Sequence, residues 1–151
     1  MRVLFVCLGN ICRSPLAEGL MRRYAEEQDY PLEVDSAATS QYQIGEHPHP
    51  GTQAILTSYQ IDFSEMIARQ ITTDDFETYD YIIGMDRQNV ADLLQVAPEG
   101  TKEKIHLFLA VEPNQTVQDI PDPWYTGDFV ATHQMIQSAI PKWLTYLLEN
   151  E

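Results

Sequence analysis

The first fifteen residues constrain the fold more tightly than any other part of the chain. Val3-Leu4-Phe5-Val6 is an unbroken apolar run. A strand with one wet face alternates apolar and polar residues, so a continuous run predicts a parallel strand buried on both faces. Ser14-Pro15 follows soon after and reads as a helix start, a capping residue with proline at the first helical position. Leu16, Leu20, Met21 and Tyr24 then recur at helical spacing and predict a helix to about Asp29.

The same alternation runs on. Residues 32–39 predict a second strand, and the prolines around His47 to Gly51 force a loop before a helix over 52–59. Thr73, with Asp74, Asp75 and Phe76 after it, suggests one short helical turn. Residues 79–85 predict a third buried strand, 89–96 a helix and 105–111 a fourth strand. Asp119-Ile120-Pro121-Asp122-Pro123-Trp124-Tyr125 is too rich in proline for regular structure. The last helix, over about 129–148, should kink or break at Pro141. Strands alternating with helices predict an α/β fold, a parallel sheet covered on both faces. Ligands of such sheets bind beyond the carboxyl ends of the strands, and Cys7 stands at one of those ends. No repeat, linker or low-complexity tract appears, so 1–151 reads as one domain, long enough to bury a core.

Composition narrows the functional classes. With 44% hydrophobic and 21% charged residues the chain reads as globular. The net charge is −14, and the nine Lys and Arg are scattered except for Arg22-Arg23, which argues against a nucleic-acid surface. The acidity favours solubility, and a sharper consequence is repulsion of acidic partners. The apolar run before Cys7 is about half the length a secretory signal needs, and nothing approaches a membrane span. A cytoplasmic protein with no membrane partner is therefore expected. Two cysteines and four histidines make neither a disulfide framework nor a good zinc set. Thiol chemistry is the better use for the cysteines.

That chemistry concentrates in Cys7-Leu8-Gly9-Asn10-Ile11-Cys12-Arg13-Ser14-Pro15. A tight loop between a strand and a helix N-terminus can turn several backbone N–H groups inward as an anion-binding nest, and the helix dipole adds to it. Gly9 and Asn10 are the residues best able to take left-handed conformations. Arg13 can fork onto a phosphate, and the same field favours the thiolate of Cys7. Neither the Gly-Lys-Ser/Thr of a nucleotide loop nor the spaced glycines of a dinucleotide fold is present. Asp122, held between Pro121 and Pro123, is a carboxylate that can be presented stiffly at a cleft edge, as a general acid requires. Asp119 reads as a solvated loop residue and Asp86 as a helix cap. His47 and His49 lie in a rigid loop without a third metal ligand nearby in sequence.

The segment resembles the low-molecular-weight protein tyrosine phosphatases, whose pattern Cys-x-Gly-Asn-Ile-Cys-Arg-Ser-Pro it carries without a gap. Val34-Asp35-Ser36-Ala37-Ala38-Thr39, Ala68-Arg69-Gln70, Asp80-Tyr81-Ile82-Ile83-Gly84-Met85-Asp86 and Asp122-Pro123-Trp124-Tyr125 are similar to family segments too. The resemblance implies a three-layer α/β/α fold with a four-stranded parallel sheet in strand order 2-1-3-4. It implies a phosphotyrosine-protein phosphatase with Cys7 as nucleophile, Arg13 as the phosphate-gripping arginine and Asp122 as general acid and base. Leu8, Gly9, Asn10, Ile11 and Cys12 would form the phosphate loop. Ser14 would donate to the thiolate, although it is also placed to cap the helix. Asn10 would hold the loop's strained shape with support from Ser36. Tyr42, Trp124 and Tyr125 would wall the substrate pocket. No metal or cofactor is implied. The partners implied are tyrosine-phosphorylated proteins, with inorganic phosphate or vanadate as inhibitors.

Three rivals have distinguishing marks. Related arsenate reductases carry two further cysteines after the third strand, and 85–98 contains none. Protein-arginine phosphatases typically have Thr where this chain has Ile11, whose apolar side chain suits a phenyl ring. A non-catalytic phosphopeptide-binding module could keep the nest while losing nucleophile or acid, yet Cys7 and Asp122 are both present.

Overall fold

β1 (Arg2–Cys7) lies between two neighbours, which is why its apolar run is continuous. The structure is a computed structural model describing residues 1–114 and 116–151. Four parallel strands form one sheet in the order β2-β1-β3-β4, with β2 spanning Glu33–Ala38, β3 Tyr81–Gly84 and β4 Ile105–Leu107. The register pairs Cys7 with Ala38 on one side and Val6 with Gly84 on the other. The helices are α1 (Arg13–Glu27), α2 (Pro50–Ser58), α3 (Thr73–Thr78), α4 (Arg87–Val96), α5 (Pro123–Thr126) and α6 (Phe129–Glu149).

Successive strand residues face opposite ways, so β1 serves two cores. Val3, Phe5 and Cys7 join a cluster with Leu16 and Leu20 of α1 and Ile136, Ile140 and Trp143 of α6. Leu4 and Val6 face the other way, toward Phe76 of α3 and Leu93 of α4. Helices on both faces make the three-layer α/β/α fold that the alternation predicts. Among the described residues no helix is long and apolar enough to cross a membrane.

Several boundaries differ from the sequence reading, each for a physical reason. α1 opens at Arg13, so Pro15 is its third residue rather than its first, and the Ser14 hydroxyl is turned to Cys7 instead of capping. α2 opens at Pro50, capped by His49, whose Nδ1 accepts from the Gly51 N–H at 3.0 Å. The fourth strand stops at Leu107 and gives way to a 3₁₀ turn over Phe108–Val111. There the Trp143 indole N–H takes the Phe108 carbonyl at 2.8 Å, an acceptor that a longer strand would have offered to the ladder. The proline-rich stretch contains one regular turn, α5, with Pro123 at its first position, where a missing N–H costs nothing. α6 runs unbroken through Pro141. Ile140, Trp143, Leu144 and Leu147 bury that half of the helix and outweigh one lost backbone bond.

Trp143 is 1% exposed and bridges the α6 layer to the end of β4. Trp143→Ala should lower unfolding free energy by about 3–5 kcal/mol, read from the urea midpoint at unchanged slope.

Candidate active site

The chain leaves the sheet at Cys7 and curls into a loop whose carbonyls are claimed from outside. Thr39 N–H donates to the Cys7 carbonyl (3.0 Å), Ser40 to Leu8 (3.1 Å) and His49 to Ile11 (2.8 Å), while the Thr52 hydroxyl donates to Cys12 (2.9 Å). A loop with its carbonyls turned out presents its N–H groups to its centre. Asn10 N–H accordingly reaches the Cys7 sulfur at 3.3 Å. Of the two residues expected in the left-handed region only Asn10 is there, at φ 59°. Gly9 instead sits close to Gln43: a Cβ there would lie 3.2 Å from Gln43 Cγ, a tight contact that this side chain would have to shift to admit.

The Asn10 side chain organises what surrounds the thiol. Its amide nitrogen donates to Ser14 Oγ (2.8 Å) and Ser36 Oγ (2.9 Å), and its oxygen accepts from the Arg69 N–H (3.1 Å). Because Ser14 Oγ accepts from Asn10, its own hydrogen is free for Cys7 Sγ, 3.0 Å away. Ser36 in turn donates to Glu18 at 2.5 Å, and the other Glu18 oxygen accepts from Arg22 at 2.7 Å. Burial pushes the Glu18 carboxyl above the usual carboxylate range, against the pull of Ser36 and Arg22. Sequence reasoning missed Glu18 and Arg22. Their i,i+4 spacing was visible but is the pattern of an exposed helix pair.

Arg13 is 2% exposed and held from behind. Its Nη1 donates to Asp86 at 2.6 Å and to the Ile120 carbonyl at 2.9 Å, and its Nη2 reaches Asp122 at 3.4 Å. Nε is buried and has no partner among the described residues. Burial works against the guanidinium charge, but Cys7, Asp86 and Asp122 outweigh it and hold Arg13 above its ordinary value. Asp86 does cap α4, accepting from the Asn89 N–H at 2.7 Å. Its second oxygen is the one that fixes Arg13, a role the cap reading did not contain. Asp119 is not simply solvated. It takes a forked ion pair from Arg87, at 2.9 Å at its shortest, which holds its carboxyl below the usual range.

Above the loop opens a cavity of about 230 Å³. Cys7, Leu8, Gly9, Ile11 and Cys12 line it together with Tyr42, Trp124, Tyr125 and Asp122. Asn10, Ser14 and Ser36 sit behind the lining and act through the network. Asp122 caps α5 through the Trp124 N–H at 3.1 Å, which fixes its carboxylate toward the opening. Gln43 also lines the cavity and was not singled out from sequence. His49, read from the sequence as part of a rigid loop, stacks its ring on Phe129 (centroids 4.9 Å apart) and meets Trp124 edge-on (6.0 Å). Burial drives the Cys12 thiol up to about 12, helped by the charges of Cys7 and Asp122 and opposed by Arg13. Cys12 is thus a neutral thiol at physiological pH. Among the described residues no group of three His, Cys, Asp or Glu could hold a metal ion.

Fold and site together define an α/β protein whose loop after the central strand turns a backbone N–H group toward a cysteine sulfur. The family model for low molecular weight phosphotyrosine protein phosphatase matches residues 2–151, and the chain belongs to that family of enzymes. It is 40% identical over 150 residues to the low molecular weight protein-tyrosine-phosphatase PtpA of Staphylococcus saprophyticus, covering 98% of this chain and 94% of the relative. The crystal structure of YfkJ from Bacillus subtilis superposes with a TM-score of 0.94 at 38% identity, covering 100% of this chain and 96% of that one. A Drosophila arginine phosphatase is also similar, with a TM-score of 0.90 at 28% identity, covering 97% and 98%.

Two substitutions separate the demands on Asn10. Asn10→Gly keeps the left-handed backbone and removes three hydrogen bonds, for an expected loss of about 1–3 kcal/mol. Asn10→Ala adds the cost of a Cβ at φ 59°, about 1–2 kcal/mol more. Equal urea midpoints for the two variants would show that the backbone there is unstrained.

Proposed function

We propose that this chain hydrolyses phosphotyrosine in proteins through a phosphocysteine intermediate on Cys7, with Asp122 as general acid and then general base. The observation that carries the reading is the Cys7 sulfur on the cavity floor, facing the Asn10 N–H and the Ser14 hydroxyl. Donors on both sides suit a sulfur that carries negative charge. The thiolate attacks phosphorus in line, forming an S–P bond as the P–O bond to the tyrosine breaks. Asp122, at the cavity rim, gives its proton to the departing phenolate. The same carboxylate then takes a proton from the water that cleaves the S–P bond, releasing inorganic phosphate and the thiolate.

Arg13 fits the clamp role. Nη1 is anchored by Asp86 and Ile120, which leaves the unpartnered Nε and the loosely tied Nη2 on one edge of the guanidinium. That edge offers the two parallel N–H groups that a phosphoryl group accepts, and the loop amides supply the rest. Inorganic phosphate or vanadate should inhibit by occupying the same nest. Tyr42, Trp124 and Tyr125, each at least half exposed, offer ring faces to a substrate ring.

The similar Drosophila arginine phosphatase makes phosphoarginine the second reading. Ile11, an apolar side chain in the cavity lining, offers a guanidinium no hydrogen bond of its own and so supports a phenyl ring over phosphoarginine. Faster turnover of phosphoarginine than of phosphotyrosine would reverse this preference.

Cys7→Ser should bring turnover of para-nitrophenyl phosphate to below about 1% of wild type while retaining vanadate affinity, because the nest and Arg13 survive. Loss of both properties would point to a collapsed loop, and retained turnover would remove Cys7 from its role. Asp122→Asn should slow phosphotyrosine more than para-nitrophenyl phosphate, whose better leaving group needs the proton less. Equal slowing of the two substrates would remove Asp122 as the acid.

A further inference from the structure

A second groove, of about 380 Å³, lies beside the phosphate cavity. Leu8 and Tyr42 line both, so the two are separated by one ridge, with the 77% exposed ring of Tyr42 on it. The groove is bounded by the segment after β2, the start of α3 and the last turn of α4. Its apolar lining comes from Leu8, Ile71, the fully buried Phe76 and Val96, which is 55% exposed. The rest of its lining is hydroxyl and amide groups, with Asp92 the single charged residue. Among the described residues no Lys or Arg lines either cavity.

We propose that this groove is a substrate subsite, taking the uncharged side chain two residues away from the phosphotyrosine in an extended substrate segment. The inference rests on the phosphotyrosine reading of the neighbouring cavity. In an extended chain residues i and i+2 point the same way, about 7 Å apart. A segment crossing the Tyr42 ridge therefore places the phosphorylated ring in one cavity and the side chain two positions along in the other. An aliphatic side chain there covers Val96 and meets Ile71 and Phe76. A carboxylate there loses water, finds no cation and approaches Asp92. The same asymmetry selects against acidic flanking sequence, in keeping with a chain of net charge −14.

The test uses four phosphotyrosyl peptides, identical except for Leu or Glu placed two residues before or two residues after the phosphotyrosine. Para-nitrophenyl phosphate serves as a substrate too small to reach the groove. On one side of the phosphotyrosine the Leu peptide should exceed the Glu peptide by about tenfold in kcat/KM, carried by KM, with no difference on the other side. Asp92→Lys, at a half-buried position of α4, and Val96→Lys, at an exposed one, should cut that preference to about threefold or less and leave para-nitrophenyl phosphate turnover unchanged. Equal kcat/KM for Leu and Glu at both positions overturns the proposal. So does a preference that neither variant moves. If para-nitrophenyl phosphate itself is not turned over, the phosphatase reading fails separately, and anisotropy binding of the same peptides still reads the groove.

Discussion

Asn10 sits at φ 59°, and its side-chain amide reaches three parts of the chain at once: Ser14 in α1, Ser36 in β2 and the backbone of Arg69. Much of the site follows from this one bridge. It turns the loop so that a backbone N–H faces the Cys7 sulfur. It also occupies the lone pair of Ser14 that would otherwise let the hydroxyl rotate away. Glu18 and Arg22 extend the bridge through Ser36, so the loop is braced by a chain of charge-assisted bonds that runs from the buried Ser36 out to a partly exposed Arg22. Such a network stiffens a site only when every member is satisfied, and here each Asn10 amide atom has a partner.

Charge is arranged in opposition around that brace. The chain as a whole is strongly acidic, yet the one arginine behind the loop is almost wholly buried and flanked by Asp86 and Asp122. A buried guanidinium is tolerable because carboxylates and a carbonyl compensate the water it has lost. Asp86 is the closer at 2.6 Å, and it also caps a helix. Asp122 is looser at 3.4 Å. One arginine thus holds one carboxylate tightly and a second one loosely.

Local physics was legible where a signal spans a few residues. The buried run of β1, the parallel alternation and the glycine–asparagine loop all appear in the residue order. Misplaced boundaries share one cause. Ser14 has cap chemistry but spends its hydroxyl on Cys7, and the fourth strand stops early because an indole from α6 claims its next carbonyl. The α5 turn and the unbroken α6 show the reverse effect, in which packing keeps helical a stretch that proline counts argued against.

By itself the residue order determined the nest, its thiol and its arginine, because these lie within one loop and its helix start. Their geometry is set by bond lengths, chirality and the direction of backbone dipoles. Only the tertiary structure decided which carboxylates meet Arg13, since Asp86 lies 73 positions away and Asp122 lies 109 away. It alone joined Glu18 to Ser36 and set the Tyr42 ring on the ridge between two cavities. Periodicity and capping rules act over a turn or a strand. Contacts between layers arise when helices and sheet bury their apolar faces together, and no short window of residues carries that information.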